Sequence, residues 1–179
     1  MRIRSGSVEL REFEPALTET LYAVRNHASV RRHLRDPRPI AWDSHVRWVR
    51  EHLLEARTQR LFLVERSGVP AGIALLRNFR GGEAEIGVMI VEAPRHRLTA
   101  YVAAHLIGFL AFELLGLERL LSYVPKGHGE ALDFNRRCGF EPTGAISETY
   151  EVLALSRTAS RTHPAHKRFR ETRRIAVQA

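Results

Sequence analysis

The run from residue 83 to 121, EAEIGVMIVEAPRHRLTAYVAAHLIGFLAFELLGLERLL, constrains the fold more than any other part of the chain. Its first part is an apolar stretch of strand length, EAEIGVMIVEA. The turn PRHR follows, and then about twenty residues, LTAYVAAHLIGFLAFELLGL, whose apolar spacing predicts a helix stopped by Gly116. A short strand, ERLLSYV, comes straight after it. With 179 residues and 44% hydrophobic content, such a chain suits one α/β domain with a real core.

The remaining segments extend the same pattern. SVELREF alternates apolar and polar side chains and predicts a first strand. Helical sequence follows from about Ala16 to Arg35, broken near Asn26 to Ser29 and ended by Pro37 and Pro39. Asp43 or Ser44 is placed to cap a helix whose apolar face carries His45, Val46, Trp48, Val49, Leu53 and Leu54. RLFLVERSGVPAGIALLRNF reads as a hairpin about Ser67-Gly68. After ERLLSYV come a turn KGHG, a helix EALDFNRRC, and two closing strands, FEPTGAIS and TYEVLALS.

Charge is unevenly spread. The chain carries +8, but residues 157–179 hold seven basic side chains against Glu171, which leaves only +2 for residues 1–156. The expected organisation is therefore a single domain over 1–156 followed by a basic, solvated C-terminal tail over 157–179. Nucleic acid is an unlikely partner except through that tail. No window approaches eighteen uncharged apolar residues, and MRIRSGSVELREFEP lacks a signal-peptide core, so no membrane partner and a cytoplasmic location are expected. A lone cysteine, Cys138, leaves no disulfide framework and no cysteine-based metal site, and no metal is expected.

The element order βααβββαβαββ, with the PRHRLTA turn between the fourth strand and the long helix, resembles the GCN5-related N-acetyltransferases. In that family the turn reads Gln or Arg, two variable residues, Gly, one variable residue, then Gly or Ala. Arg95 takes the first place, Leu98 the first glycine place, and Ala100 the last. EALDFNRRCGFEPTG resembles the family's fourth helix and its Gly-Phe turn, here Gly139 and Phe140. The likeness covers about residues 7 to 156. It implies a mixed, mostly antiparallel sheet of about seven strands flanked by about four helices, splayed between strands 4 and 5.

The resemblance also implies acetyl-CoA as co-substrate, with its pyrophosphate on the amides of the helix N-terminus, where the helix dipole favours an anion. Arg95, His96, Arg97, Leu98, Thr99 and Ala100 form that cradle, and Asn135 borders the same site. Leucine at position 98 brings a Cβ where glycine allows close approach. Pantetheine then lies against the backbone of Val88, Met89 and Ile90 as an added strand.

Acetyl transfer to an amine needs a base, a polarised carbonyl and a proton for the leaving thiolate. Glu85, mid-strand, is the candidate base. The family's fourth-helix tyrosine is Asn135 here and its asparagine is His128, so Tyr123 and His128 stand as alternative acids, and water is a third. Cys138 reads as a core filler. The acceptor side resembles bacterial transferases acting on amino sugars of nucleotide carriers, and more distantly ribosomal-protein transferases. Arg25, Asn26, Arg31, His45 and Trp48 carry that likeness, with arginines for a diphosphate and Trp48 for stacking. The partner expected is a small-molecule amine, foremost a sugar nucleotide, with a protein amine as the alternative. A catalytically degenerate binding module and a homodimer are the other readings to test.

Overall fold

Apolar runs that face two ways set this architecture. In the computed structural model, which describes residues 1–32, 36–91, 97–145 and 147–179 (Arg97 by its backbone alone), the run LFLV in β3 (Gln59–Arg66) is buried throughout. Leu61 and Leu63 point to one side of the sheet, and Phe62 and Val64 to the other, because successive strand side chains alternate. A strand with two buried faces must lie between layers, and helices supply both.

The N-terminal hairpin comprises β1 (Arg2–Ser5) and β2 (Val8–Glu12), turning at Gly6 with φ +60°. A short 3-10 turn leads into α1 (Thr18–Asn26) and α2 (Ala28–Arg31), separated at His27 as the sequence break predicts. α3 (Trp42–Val49) continues as a π-helical turn through Glu55. β3 and β4 (Val69–Arg80) form the hairpin expected at Ser67-Gly68, both with positive φ. After β5 (Glu83–Ile90) comes α4 (Arg97–Phe109), extended by a π-helical turn to Leu114. Its buried residues Val102, Ala103, Leu106, Ile107, Leu110 and Ala111 repeat at helical spacing and face the sheet. Gly116, at φ +70°, ends the run as predicted. β6 (Arg119–Pro125), α5 (Gly129–Arg137), β7 (Glu141–Pro142) and β8 (Tyr150–Ser156) complete the expected order.

The sheet order is β7-β8-β6-β5-β4-β3-β2-β1-β9, with β5 and β6 its parallel pair. α4 and the C-terminal helices cover one face through Phe62, Leu76, Leu106, Leu120 and Phe169. α1 and α3 cover the other through Leu21, Val24, Val49, Leu63 and Ile73. The mixed, mostly antiparallel sheet is the one expected, but the described residues hold nine strands and seven helices rather than about seven and four.

The additional elements correct three expectations. MRIRS, left out of the strand assignment, pairs with β2 and buries Ile3 and Ser5. FEPTGAIS contributes only the two residues of β7, after which one bond from the Thr143 N–H to the Val152 carbonyl at 3.0 Å closes the pairing. α3 begins at Trp42 with no side-chain cap, and Asp43 sits inside its first turn rather than before it.

The largest correction concerns residues 157–179, which are folded rather than a loose tail. They form α6 (Arg157–Thr162), α7 (Pro164–Thr172) and β9 (Ala176–Gln178), and β9 pairs with β1. Ser156 caps α6, and His163 caps α7 ahead of Pro164. Phe169 is 3% exposed within the main core, a burial that stabilises by about 2–3 kcal/mol. The arginines that suggest a solvated run have local partners. Arg157 donates to the carbonyls of Phe112 and Leu117 at 2.8 and 3.0 Å, satisfying the end of α4. Arg161 pairs with Glu113 at 3.2 Å, and Arg170 donates to the carbonyls of Ser160 and Arg161.

Candidate active site

β5 and β6 pair only at Glu83 with Arg119, Ala84 with Leu120 and Glu85 with Leu121. Beyond that point β5 stays with β4 as far as Ile90, and β6 stays with β8 as far as Pro125. The two strands therefore part in mid-sheet, at the place the resemblance implies. The parting opens a cleft of about 470 Å³. Ile86, Val88 and Ile90 line it from the α4 side, and Glu85, Gly87 and Met89 from the other, so the opening runs through the sheet layer.

Backbone direction distinguishes the three β5 residues expected to meet a cofactor. The Val91 N–H donates to the Ala71 carbonyl at 2.8 Å, toward β4. In an antiparallel ladder alternate residues share that direction, so Met89 and Gly87 also spend their amides on β4. Ile86, Val88 and Ile90 direct theirs to the opposite edge, where no ladder partner exists beyond Glu85 among the described residues. Val88 and Ile90 thus offer backbone groups to the cleft, and Met89 offers only its side chain.

At the start of α4, Ala100 and Ala104 lie one turn apart on the cleft wall. Leu98 is 52% exposed and does not line the cleft, so its bulk points to solvent. Thr99 is fully buried, and its hydroxyl accepts from Arg66 Nη1 at 3.1 Å, which ties the start of α4 to β3. Arg95 and His96 lie outside the described residues, as does the side chain of Arg97.

Glu85 closes one end of the cleft. Its carboxylate pairs with Arg77 and accepts from Asn78 Nδ2 at 2.8 Å. Neither partner is visible in a strand pattern, because both arise from the register that sets Arg77 opposite Glu85. Tyr123 shares the Glu85 face, since Leu121 pairs with Glu85 and Tyr123 is two residues on. Tyr123 is 43% exposed and stands edge-on to Tyr150, with ring centroids 6.2 Å apart. His128 lines the cleft as the N-cap of α5, its Nδ1 accepting from the Ala131 N–H at 3.3 Å. That bond puts any transferable proton on Nε2. Asn135 also lines the cleft and donates to the Ala131 carbonyl at 2.8 Å. Burial pushes the Cys138 thiol up to about 12, which suits a core filler and not a nucleophile. Ser122 to Val124 form the opposite wall that the resemblance implies, and sequence reasoning missed Phe134 there, a residue type that carries no signal without the parting of the strands.

The acceptor-side residues do not line this cleft, although Val30 of α2 does. Asn26 holds the Ile40 backbone from both sides, donating at 3.0 Å and accepting at 2.9 Å. Arg31 donates to the carbonyls of Asn26 and Pro37. His45 is 1% exposed, its Nε2 bonded to the Thr18 carbonyl at 3.1 Å. Trp48 is half-buried and stacks on His52 at 5.8 Å. Asn26, Arg31, His45 and Trp48 therefore secure α1, α3 and the connection between them. Arg25 is different: one guanidinium nitrogen, Nη1, is buried with no hydrogen-bond partner among the described residues, and burial lowers its pKa while Asp36 pulls it back up. No cluster of histidine, cysteine, aspartate and glutamate suited to a metal occurs among the described residues. Among the same residues no helix is long and apolar enough to cross a membrane.

The sequence profile of the acetyltransferase (GNAT) domain matches residues 7–141. The chain belongs to the GNAT acetyltransferase family. It is an N-acetyltransferase of that family, in keeping with the parted strands and the helix that follows them. No curated protein sequence matches it. Among solved structures, the GNAT fold recurs in a spermidine N-acetyltransferase from Vibrio cholerae in complex with CoA and spermine. That protein is 16% identical, with a TM-score of 0.75 over 86% of this chain and 97% of its own. FdhC, a nucleotide-linked sugar GNAT in its apo form, is 18% identical, with a TM-score of 0.77 over 96% of this chain and 95% of its own. A dodecameric form of the Vibrio cholerae spermidine enzyme aligns with a TM-score of 0.70 at 16% identity, over 88% of this chain and 97% of its own.

Proposed function

We propose that this GNAT domain transfers the acetyl group of acetyl-CoA directly to the amino group of a nucleotide-linked sugar. The observation that carries the cofactor side is the parting of β5 from β6, which leaves the backbone groups of Val88 and Ile90 unpaired beside the cleft. Pantetheine takes the place of the missing strand there. The amides at the N-terminus of α4 hold the pyrophosphate, with Ala100 small enough to let it approach. Glu85 takes a proton from the substrate ammonium, directly or through a water, the neutral amine nitrogen then bonds to the acetyl carbon, and the carbon–sulfur bond breaks as that nitrogen gives its remaining extra proton to water. Arg77 and Asn78 fix the Glu85 carboxylate for that step. Tyr123, on the same face, supplies the proton to the leaving thiolate, with His128 Nε2 as the alternative donor.

Charge supports a phosphate-bearing acceptor. A chain of net +8 attracts an anionic sugar nucleotide and repels a polycation such as a polyamine. Arg25 is a cation on the helix next to the one that brings Val30 to the cleft. The overlap with FdhC adds to this reading. Residues 1–156 make up less than nine-tenths of the chain, so a 96% match reaches into α6 to β9, whereas the 86% match to the spermidine enzyme is short enough to end before them. The spermidine enzymes favour a second reading, a polyamine acceptor.

Initial rates with a nucleoside-diphosphate amino sugar and with spermidine separate the two. Acetylation of the sugar nucleotide, with a KM raised about tenfold in Arg25→Ala, is the expected result. Preferential turnover of spermidine, unaffected by Arg25→Ala, contradicts the acceptor assignment and leaves the cofactor assignment standing.

A further inference from the structure

β4 and β5 do not stay in one register up to the hairpin that joins them. Arg80 pairs with Glu83 across the two-residue turn Gly81-Gly82, and further along Arg77 pairs with Glu85. Asn78 and Phe79 therefore stand against the single residue Ala84, which is a β-bulge. The bulge begins at Asn78, whose φ is +54°. Of the described residues other than glycine with positive φ, Arg57 and Ser67 lie between elements, and Asn78 is the one inside a strand.

Regular strand geometry would send the side chains of Arg77 and Asn78 to opposite faces. The bulge removes that alternation, and the two side chains meet one carboxylate. Arg77 Nη2 donates to Glu85 Oε1, and Asn78 Nδ2 donates to Glu85 Oε2 at 2.8 Å. Arg77 alone would leave the carboxylate free to turn about a single contact. With both oxygens held its plane is fixed, and each oxygen keeps a lone pair for a proton that arrives from the cleft. Glycine adopts this left-handed backbone freely, whereas asparagine adopts it under strain and adds a side-chain amide. The turn needs no asparagine, because Gly81 and Gly82, at φ +56° and +83°, already supply its two left-handed positions. What asparagine contributes at position 78 is the bond to Glu85.

We propose that this bulge is a positioning device: it turns Asn78 toward Glu85, and Asn78 sets the direction in which the carboxylate faces the reaction. The strain at Asn78 serves turnover and not stability. Asn78 does not itself line the cleft, so it acts through Glu85 and is a positioning residue. The inference rests on the reading of Glu85 as the base.

The test compares Asn78→Gly and Asn78→Asp with the unaltered protein in chemical denaturation and in steady-state acetylation, with the nucleoside-diphosphate amino sugar or spermidine as acceptor, whichever is turned over. Asn78→Gly keeps the bulge and drops the amide. Its kcat falls about tenfold, the KM for acetyl-CoA is unchanged, and the denaturation midpoint does not fall. Asn78→Asp also suits the backbone, but an ionised carboxylate cannot donate, and its kcat falls at least as far. In a Glu85→Gln background Asn78→Gly has no further effect on kcat, because it acts through that carboxylate. Full turnover in Asn78→Gly, beside a Glu85→Gln protein that has lost it, overturns the positioning role and leaves Glu85 as the base. Full turnover in Glu85→Gln overturns both. A lowered midpoint in Asn78→Gly makes Asn78 a structural residue and also overturns the proposal.

Discussion

The two cavities along α4 have nearly equal volumes, about 470 and 480 Å³, and opposite origins. At Ala100 and Ala104 the helix borders an opening made by backbone, where two strands lose their ladder and leave amides unpaired. At His105, Gly108 and Phe109 it borders a half-open space made by side chains, formed where α6 and α7 fold over the helix. The first presents hydrogen-bonding groups at fixed strand spacing, suited to an extended polar chain. The second presents mainly aromatic faces. One helix thus borders an opening shaped by backbone and a hollow shaped by side chains.

If the two halves are independent, damage to one should spare the other. The largest expected effect is that of Phe169→Ala, which removes the ring anchoring the C-terminal segment in the core. It should lower the stability of the protein by about 4 kcal/mol in chemical denaturation, with acetyl-CoA affinity unchanged. A parallel loss of cofactor binding breaks the comparison, because the cleft would then depend on the tail.

Acid should act on the second region first. His105 takes up a proton near 6.5 when unfolded and near 4 when folded. Between those values the unfolded chain binds more protons, so stability falls as pH drops through that window, by about 3 kcal/mol once below it. Burial also lowers His166, packed against it at 4.4 Å, so the two titrate in the same direction. Denaturation midpoints measured from neutral pH to pH 4 should show this slope, reduced in His105→Phe. An unchanged slope in that variant removes His105 as its source.

A smaller effect sharpens the account of the cleft. Glu85→Gln should lower kcat about 100-fold with little change in the KM for acetyl-CoA, because Glu85 lies at the end where the strands still pair. A loss confined to KM would make Glu85 a binding residue and not the base.

The sequence made the order of elements legible, since strand alternation and the helical spacing of α4 are local patterns. The helix break at His27 and the stop at Gly116 were equally local. The folded C-terminus was not, because seven basic residues in 157–179 look the same whether they face water or bind carbonyls. Arg157 and Arg170 do the latter, with acceptors supplied by distant or neighbouring helix ends. Of the candidate site, Glu85, Val88, Met89, Ile90, Ala100, Tyr123, His128 and Asn135 all line one cleft. Side-chain pattern could not reveal that Met89 turns its amide to β4, nor that His45 and Asn26 hold backbone rather than face the cleft. Backbone direction and loop tethering depend on register, which one strand alone does not disclose.

The central claim is that the parted strands and the start of α4 form the acetyl-CoA site. Isothermal titration of the full chain with acetyl-CoA, beside Ala100→Glu, tests it most directly. Micromolar binding is predicted, weakened about 100-fold when the Ala100→Glu carboxylate opposes the phosphates and weakened likewise when acetylpantetheine replaces acetyl-CoA. Binding that is absent, or that survives Ala100→Glu unchanged, contradicts the claim.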